Sequence, residues 1–132
     1  MRAKIFHNPQ CGTSRNTLAL MRHAGVEPDV IEYLKDTPSA AELKALVTQA
    51  GLKARDIIRS KQDGYAESGL ADEGLDDDGI FALLEANPKY IQRPIVVTDK
   101  GVRLSRPSEV VLEILPPIPS DFTKEDGEVV KA

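Results

Sequence analysis

Cys11 is the only cysteine in the chain and stands in the stretch His-Asn-Pro-Gln-Cys-Gly-Thr-Ser-Arg, from His7 to Arg15. A thiol becomes a good nucleophile when it ionises, and ionisation is favoured where unpaired backbone amides and the positive end of a helix dipole face the sulfur. Thr13 and Ser14 are helix N-cap types directly ahead of Leu18, Leu20 and Met21, whose spacing suits one buried face. Cys11 therefore falls at or just before a helix start. Arg15 and His7 stand close by as sources of positive charge, which lowers a thiol from its ordinary pKa of about 8.5. Many lone cysteines are small buried hydrophobes without chemistry. Here Pro9, Gly12, Thr13 and Ser14 make a polar turn rather than a core segment, so Cys11 reads as a reactive nucleophile.

Three arginines far apart in the chain are candidates to face such a thiolate. Arg59 ends an otherwise apolar helical stretch, Arg93 precedes Pro94, and Arg106 lies between a hairpin and a last helix. Guanidinium groups bind oxyanions bidentately, so three of them beside a thiolate and helix-start amides describe a pocket for a tetrahedral oxyanion. Metal chemistry is not expected. His7, Cys11 and His23 have no metal-ligand spacing, and His23 reads as a last-turn helix residue favoured by the dipole.

The elements that must position these groups follow from local patterns. Lys4-Ile5-Phe6 is β-prone and Asn8-Pro9 breaks it; a helix then runs from about Ser14 to Gly25. Val30 to Leu34 reads as a second strand, giving a right-handed βαβ unit with parallel strands. Ser39 and Glu42 form a capping box for a helix that stops at Gly51, and a short helical piece follows from Arg55 to Ser60. Asp63 to Asp78 holds seven acidic residues and no basic one, the pattern of a solvated, mobile surface. Asp76 or Asp77 caps a helix that carries Ile80, Leu83 and Leu84 inward. Ile95-Val96-Val97 and Val102-Arg103-Leu104 flank the turn Asp99-Lys100-Gly101 as an antiparallel hairpin. A last helix has Pro107 in its first turn and stops at Pro116-Pro117. The tail from Ile118 either wraps the surface or frays.

The expected fold is α/β: βαβ, a helical insertion at about 39–87, then ββα, with a four-stranded mixed sheet in the thioredoxin-like arrangement. Residues 1–117 form that domain and 118–132 the tail. In this arrangement a cis Arg93–Pro94 peptide brings backbone beside the cysteine loop, with Arg93 pointing near Cys11 and Arg106 approaching the same place. At 132 residues the chain buries about two thirds of its unfolded surface without a disulfide or metal. The formal charge of −4 speaks against a broad nucleic-acid surface. With no apolar run near the ~20 residues of a membrane span and no signal-peptide pattern, a soluble, cytoplasmic chain is expected.

His7-Asn8-Pro9 with Cys11-Gly12-Thr13-Ser14-Arg15-Asn16-Thr17, Arg93 to Val97, Arg106-Pro107-Ser108-Glu109-Val110 and the tail Phe122 to Glu128 resemble the glutaredoxin-coupled arsenate reductase family over nearly the whole chain. The resemblance implies a catalytic Cys11, an arsenate site of Arg59, Arg93 and Arg106, and supporting roles for His7, Ser14 and Arg15. It implies thiolate attack on arsenic(V) and a thio-arsenate adduct, with no tightly bound cofactor. Ser14 occupies the place of a C-x-x-C partner, so the reductant comes from outside. In the family it is glutathione, followed by glutaredoxin. Arsenate, glutathione and glutaredoxin are thus the expected partners of a monomer, without nucleic acid or membrane. A tyrosine-phosphatase loop needs five residues between Cys and Arg, and three stand here. A thioredoxin-like regulator that binds RNA polymerase, and a thiol reductase of the same fold with another substrate, stay open beside the reductase.

Overall fold

The computed structural model describes every residue from Met1 to Ala132 and divides into two units, Met1–Glu32 with Arg93–Ala132, and Tyr33–Gln92. In the first unit β1 (Ala3–His7) leads into α1 (Gly12–His23) and β2 (Asp29–Glu32), and the chain returns as β3 (Ile95–Thr98) and β4 (Gly101–Leu104). The sheet order is β2-β1-β3-β4, with β1 and β2 parallel and the other pairs antiparallel. Two registers matter for the site: Phe6 lies opposite Ile95, and Ile95 opposite Leu104.

Apolar side chains facing one way join these elements. Ile5 and Val96 from the sheet, Leu20 and Met21 from α1, and Val111 and Ile114 from the segment after β4 are fully buried in one cluster. Each such side chain contributes about 1.5–3 kcal/mol by leaving water. The cluster fixes which face of α1 turns inward.

Local signals set most element ends, but several differ from expectation. Helix α1 starts two residues earlier than its Thr-Ser pair suggests: Cys11 is the N-cap, and Thr13 and Ser14 lie in the first turn. The expected last helix is a 3-10 helix, Ser108–Ile114, with Pro107 as its N-cap. Its β-branched Val110, Val111 and Ile114 are poor helix formers, and Leu115 precedes a proline that disfavours helical backbone there. The tail neither frays nor lies loosely. It forms an antiparallel ribbon of β5 (Phe122–Thr123) and β6 (Val129–Val130), and Ile118 and Val130 are buried in the cluster.

In the second unit Ser39 caps α2 (Ala40–Ala50) by accepting from the Glu42 amide at 3.1 Å, and Gly51 ends it with φ 70°. Asp76 caps α3 (Asp77–Ala86) by accepting from the Gly79 amide at 2.8 Å. These two helices pack on each other, and Leu43, Leu46, Ile80 and Leu84 on them are buried. The short helical piece is a 3-10 turn, Ala54–Ile57. Arg59 therefore lies beyond that turn, next to Ile58, which bridges Ile91 in antiparallel fashion. The acidic stretch is more anchored than its composition suggests: Leu70 is fully buried, and Arg55 donates to the carbonyls of Leu70 (2.9 Å) and Asp72 (2.6 Å). No helix is long and apolar enough to cross a membrane.

Candidate active site

The joint between β1 and α1 is folded by its own backbone. The Cys11 amide donates to the Asn8 carbonyl (3.0 Å), the Gln10 amide donates to the Asn8 side-chain oxygen (2.9 Å), and the Arg15 amide donates to the Cys11 carbonyl (3.0 Å). Cys11 itself is extended, with φ −100° and ψ 120°, and its side chain is partly buried at the helix start.

Strand register brings the arginines there. Continuing β1 and β3 by one step sets His7 against Pro94, and continuing β3 and β4 sets Pro94 against Ser105, whose amide donates to the Pro94 carbonyl at 2.9 Å. Arg93 and Arg106 then flank the cysteine loop. Arg106 Nη1 lies 3.6 Å from Cys11 Sγ and donates to the Arg93 carbonyl at 2.9 Å. Both Arg93–Pro94 and Arg106–Pro107 are cis peptides, the second not expected from the sequence.

Burial by itself pushes the Cys11 thiol up. The Ser14 backbone amide and the guanidinium groups of Arg93 and Arg106 outweigh it, and the thiol lies below its ordinary range. A cation and an oriented amide favour the charged form because each interacts more strongly with a thiolate than with a thiol.

The flanking residues act differently from their expected sources of charge. His7 is buried, and burial, reinforced by Arg22 and Arg15 and opposed by Glu32, lowers its pKa. Its ring is therefore neutral near pH 7 and supplies no positive charge to the sulfur. Nδ1 of His7 shares a 2.6 Å hydrogen bond with the Ser14 hydroxyl, whose oxygen accepts from the Asn8 amide at 3.0 Å. Fully buried Ser14 thus joins the end of β1 to the first turn of α1. Arg15 turns outward to Glu125, with Nη2 and Oε1 2.9 Å apart. Arg59 belongs to the second unit, where its amide donates to the Tyr90 carbonyl at 2.7 Å.

Sequence reasoning missed two contacts. The Ser108 hydroxyl donates to the Thr13 carbonyl at 3.0 Å, seating the 3-10 helix on the first turn of α1. Glu125 holds Arg15 across 110 residues of sequence. Both residues lie in quoted motifs, yet nothing local to either points to its partner.

A profile of the ArsC family matches residues 6–114. The chain belongs to the ArsC family. Among ArsC relatives, an arsenate reductase from Rhizobium meliloti (strain 1021) is 53% identical over 131 residues, covering 98% of this chain and 94% of its own. One from Escherichia coli (strain K12) is 49% identical over 127 residues, covering 96% and 90%. The solved arsenate reductase from Vibrio cholerae superposes with a TM-score of 0.83 at 48% identity, covering 87% of this chain and 98% of that one. The four-stranded mixed sheet with its cysteine after β1 is the thioredoxin-like ArsC fold.

Proposed function

We propose that this ArsC chain reduces arsenate to arsenite through the thiolate of Cys11. The observation that carries the reading is a depressed thiol at a helix start with Arg106 3.6 Å away. The sulfur attacks arsenic(V), one arsenic–oxygen bond breaks, and the oxygen leaves as water after taking a proton. Arg93 and Arg106 neutralise charge gathering on the remaining oxygens. The arsenic is still pentavalent in the adduct. Glutathione then supplies its thiol: a sulfur–sulfur bond forms, the sulfur–arsenic bond breaks with its electron pair staying on arsenic, and arsenite departs. Glutaredoxin reduces the resulting mixed disulfide and returns Cys11.

With one cysteine the chain has no internal disulfide to form, which favours an outside thiol and a reducing cytoplasm. It also speaks against a regulator that switches through a C-x-x-C pair. Arsenate-dependent NADPH oxidation by the full chain with glutathione, glutaredoxin and glutathione reductase tests the reading. Turnover that vanishes in Cys11→Ser supports it; no turnover in the wild type overturns it.

A further inference from the structure

All three nitrogens of the Arg15 guanidinium are engaged away from the sulfur. Nε and Nη2 donate to Oε2 and Oε1 of Glu125 at 2.9 Å each, and Nη1 donates to the Pro9 carbonyl at 2.9 Å. The next helix residue, Asn16, accepts from the Glu125 backbone amide at 3.0 Å. Two consecutive residues near the start of α1 therefore grip one residue between β5 and β6.

That ribbon is itself firmly seated. Lys124, with its side chain 8% exposed, pairs with Glu109 and with Glu128 (3.1 Å). Phe122 packs against the core and Val130 lies in it. A line of direct polar contacts runs from this anchored ribbon through Arg15 to the carbonyl two residues before the reactive sulfur.

We propose that Glu125 is a positioning residue for Cys11: it seats Arg15 across the first turn of α1, and Arg15 holds the Pro9 carbonyl so that the loop from Asn8 to Gly12 keeps Sγ before Arg93 and Arg106. The inference rests on the proposed function only in taking Cys11 as the reacting group. The groups that face or border the sulfur are Arg93, Arg106, Arg15 and, through Ser14, the neutral ring of His7. Glu125 meets this set through Arg15. The sign separates positioning from simple charge. Deleting an anion near a thiol, with nothing else moved, lowers the thiol pKa; loosening the loop weakens the field of the two arginines and raises it.

The test is the pH dependence of iodoacetamide alkylation of the full chain, in which Cys11 is the only thiol. Glu125→Gln removes the charge, and Asn16→Ala releases the Glu125 backbone without changing any charge. Both are expected to move the alkylation midpoint up by about half a pH unit, roughly a threefold loss of thiolate at any pH below the midpoint. Glu125→Asp, which keeps the carboxylate, recovers part of the difference. Thermal unfolding midpoints stay close to wild type, because an exposed ion pair adds little stability. A downward move in Glu125→Gln, or an unmoved midpoint in both variants, overturns the inference. Alkylation needs no arsenate, so a failed arsenate assay would sink the proposed function while this measurement still reads the positioning.

Discussion

One nitrogen of Arg106 serves two partners: Nη1 lies 3.6 Å from Cys11 Sγ and donates to the Arg93 carbonyl at 2.9 Å. The carbonyl bond fixes the guanidinium plane, so the charge facing the sulfur is already oriented before any anion arrives. Oriented donors of this kind act without reorganising when charge develops. Arg106→Ala is therefore expected to lower arsenate turnover by about 100- to 1,000-fold and to raise the pH midpoint of Cys11 alkylation. Arg106→Lys keeps the charge but not the planar fork and should recover only part of each. Steady-state kinetics and alkylation rates check both.

Ser14 carries the structural side of the same corner. Its hydroxyl accepts from the Asn8 amide and shares a hydrogen bond with His7, all buried. Ser14→Ala leaves those partners unsatisfied, a loss of about 1–3 kcal/mol. Urea unfolding should show a lower midpoint at unchanged slope. The Ser14 backbone amide survives the change, so the thiol should stay below its ordinary range.

Two groups make stability rise with pH, each in its own window of the pH scale. His7 has a lowered folded pKa, so below the unfolded value of about 6.5 the unfolded chain binds the proton more readily and stability falls with pH until the folded pKa is passed. His7→Gln should flatten that limb. Cys11 also has a lowered folded pKa; its thiolate contributes fully only above the unfolded value of about 8.5 and the contribution is lost as pH falls through the folded pKa. Cys11→Ser should flatten the alkaline limb. Denaturant midpoints measured from pH 5 to 9 report both slopes.

Lys124 is the most buried charged group of the tail, and burial opposes the raised pKa that its pairing with Glu109 produces. Lys124→Met removes the shared cation from Glu109, whose paired Oε2 is buried, and from the more exposed Glu128, so a loss of about 1–3 kcal/mol is expected. Thermal unfolding checks it. An unchanged midpoint would mean that the apolar contacts of Phe122 and Val130 hold the ribbon unaided.

Much of this architecture is legible because its signals are local. Asn8-Pro9 breaks β1, Ser39 and Glu42 open α2, Gly51 closes it, Asp76 opens α3, and Gly101 turns the β3–β4 hairpin with φ 140°. The Cys11 loop reads from composition, and the places of Arg93 and Arg106 follow once the strands are put in register. What is not legible depends on distant partners or on a choice between similar backbones. Val110, Val111 and Ile114 have apolar spacing that suits an α-helix and a 3-10 helix alike. A serine ahead of an apolar face reads as a cap, and only the fold shows Ser14 one turn inside, bonded to His7. The charge of Arg15 says nothing about which carboxylate receives it.

Pro107 stands between two residues that reach the start of α1 in different ways, Arg106 toward the sulfur and Ser108 onto the Thr13 carbonyl. A tripeptide therefore couples the electrostatics of the nucleophile to the mechanical seat of the helix that bears it. Substitutions scanned through 106–108 will shift reactivity and melting behaviour together, and homologous enzymes that diverge here should do so by concerted rather than single replacements.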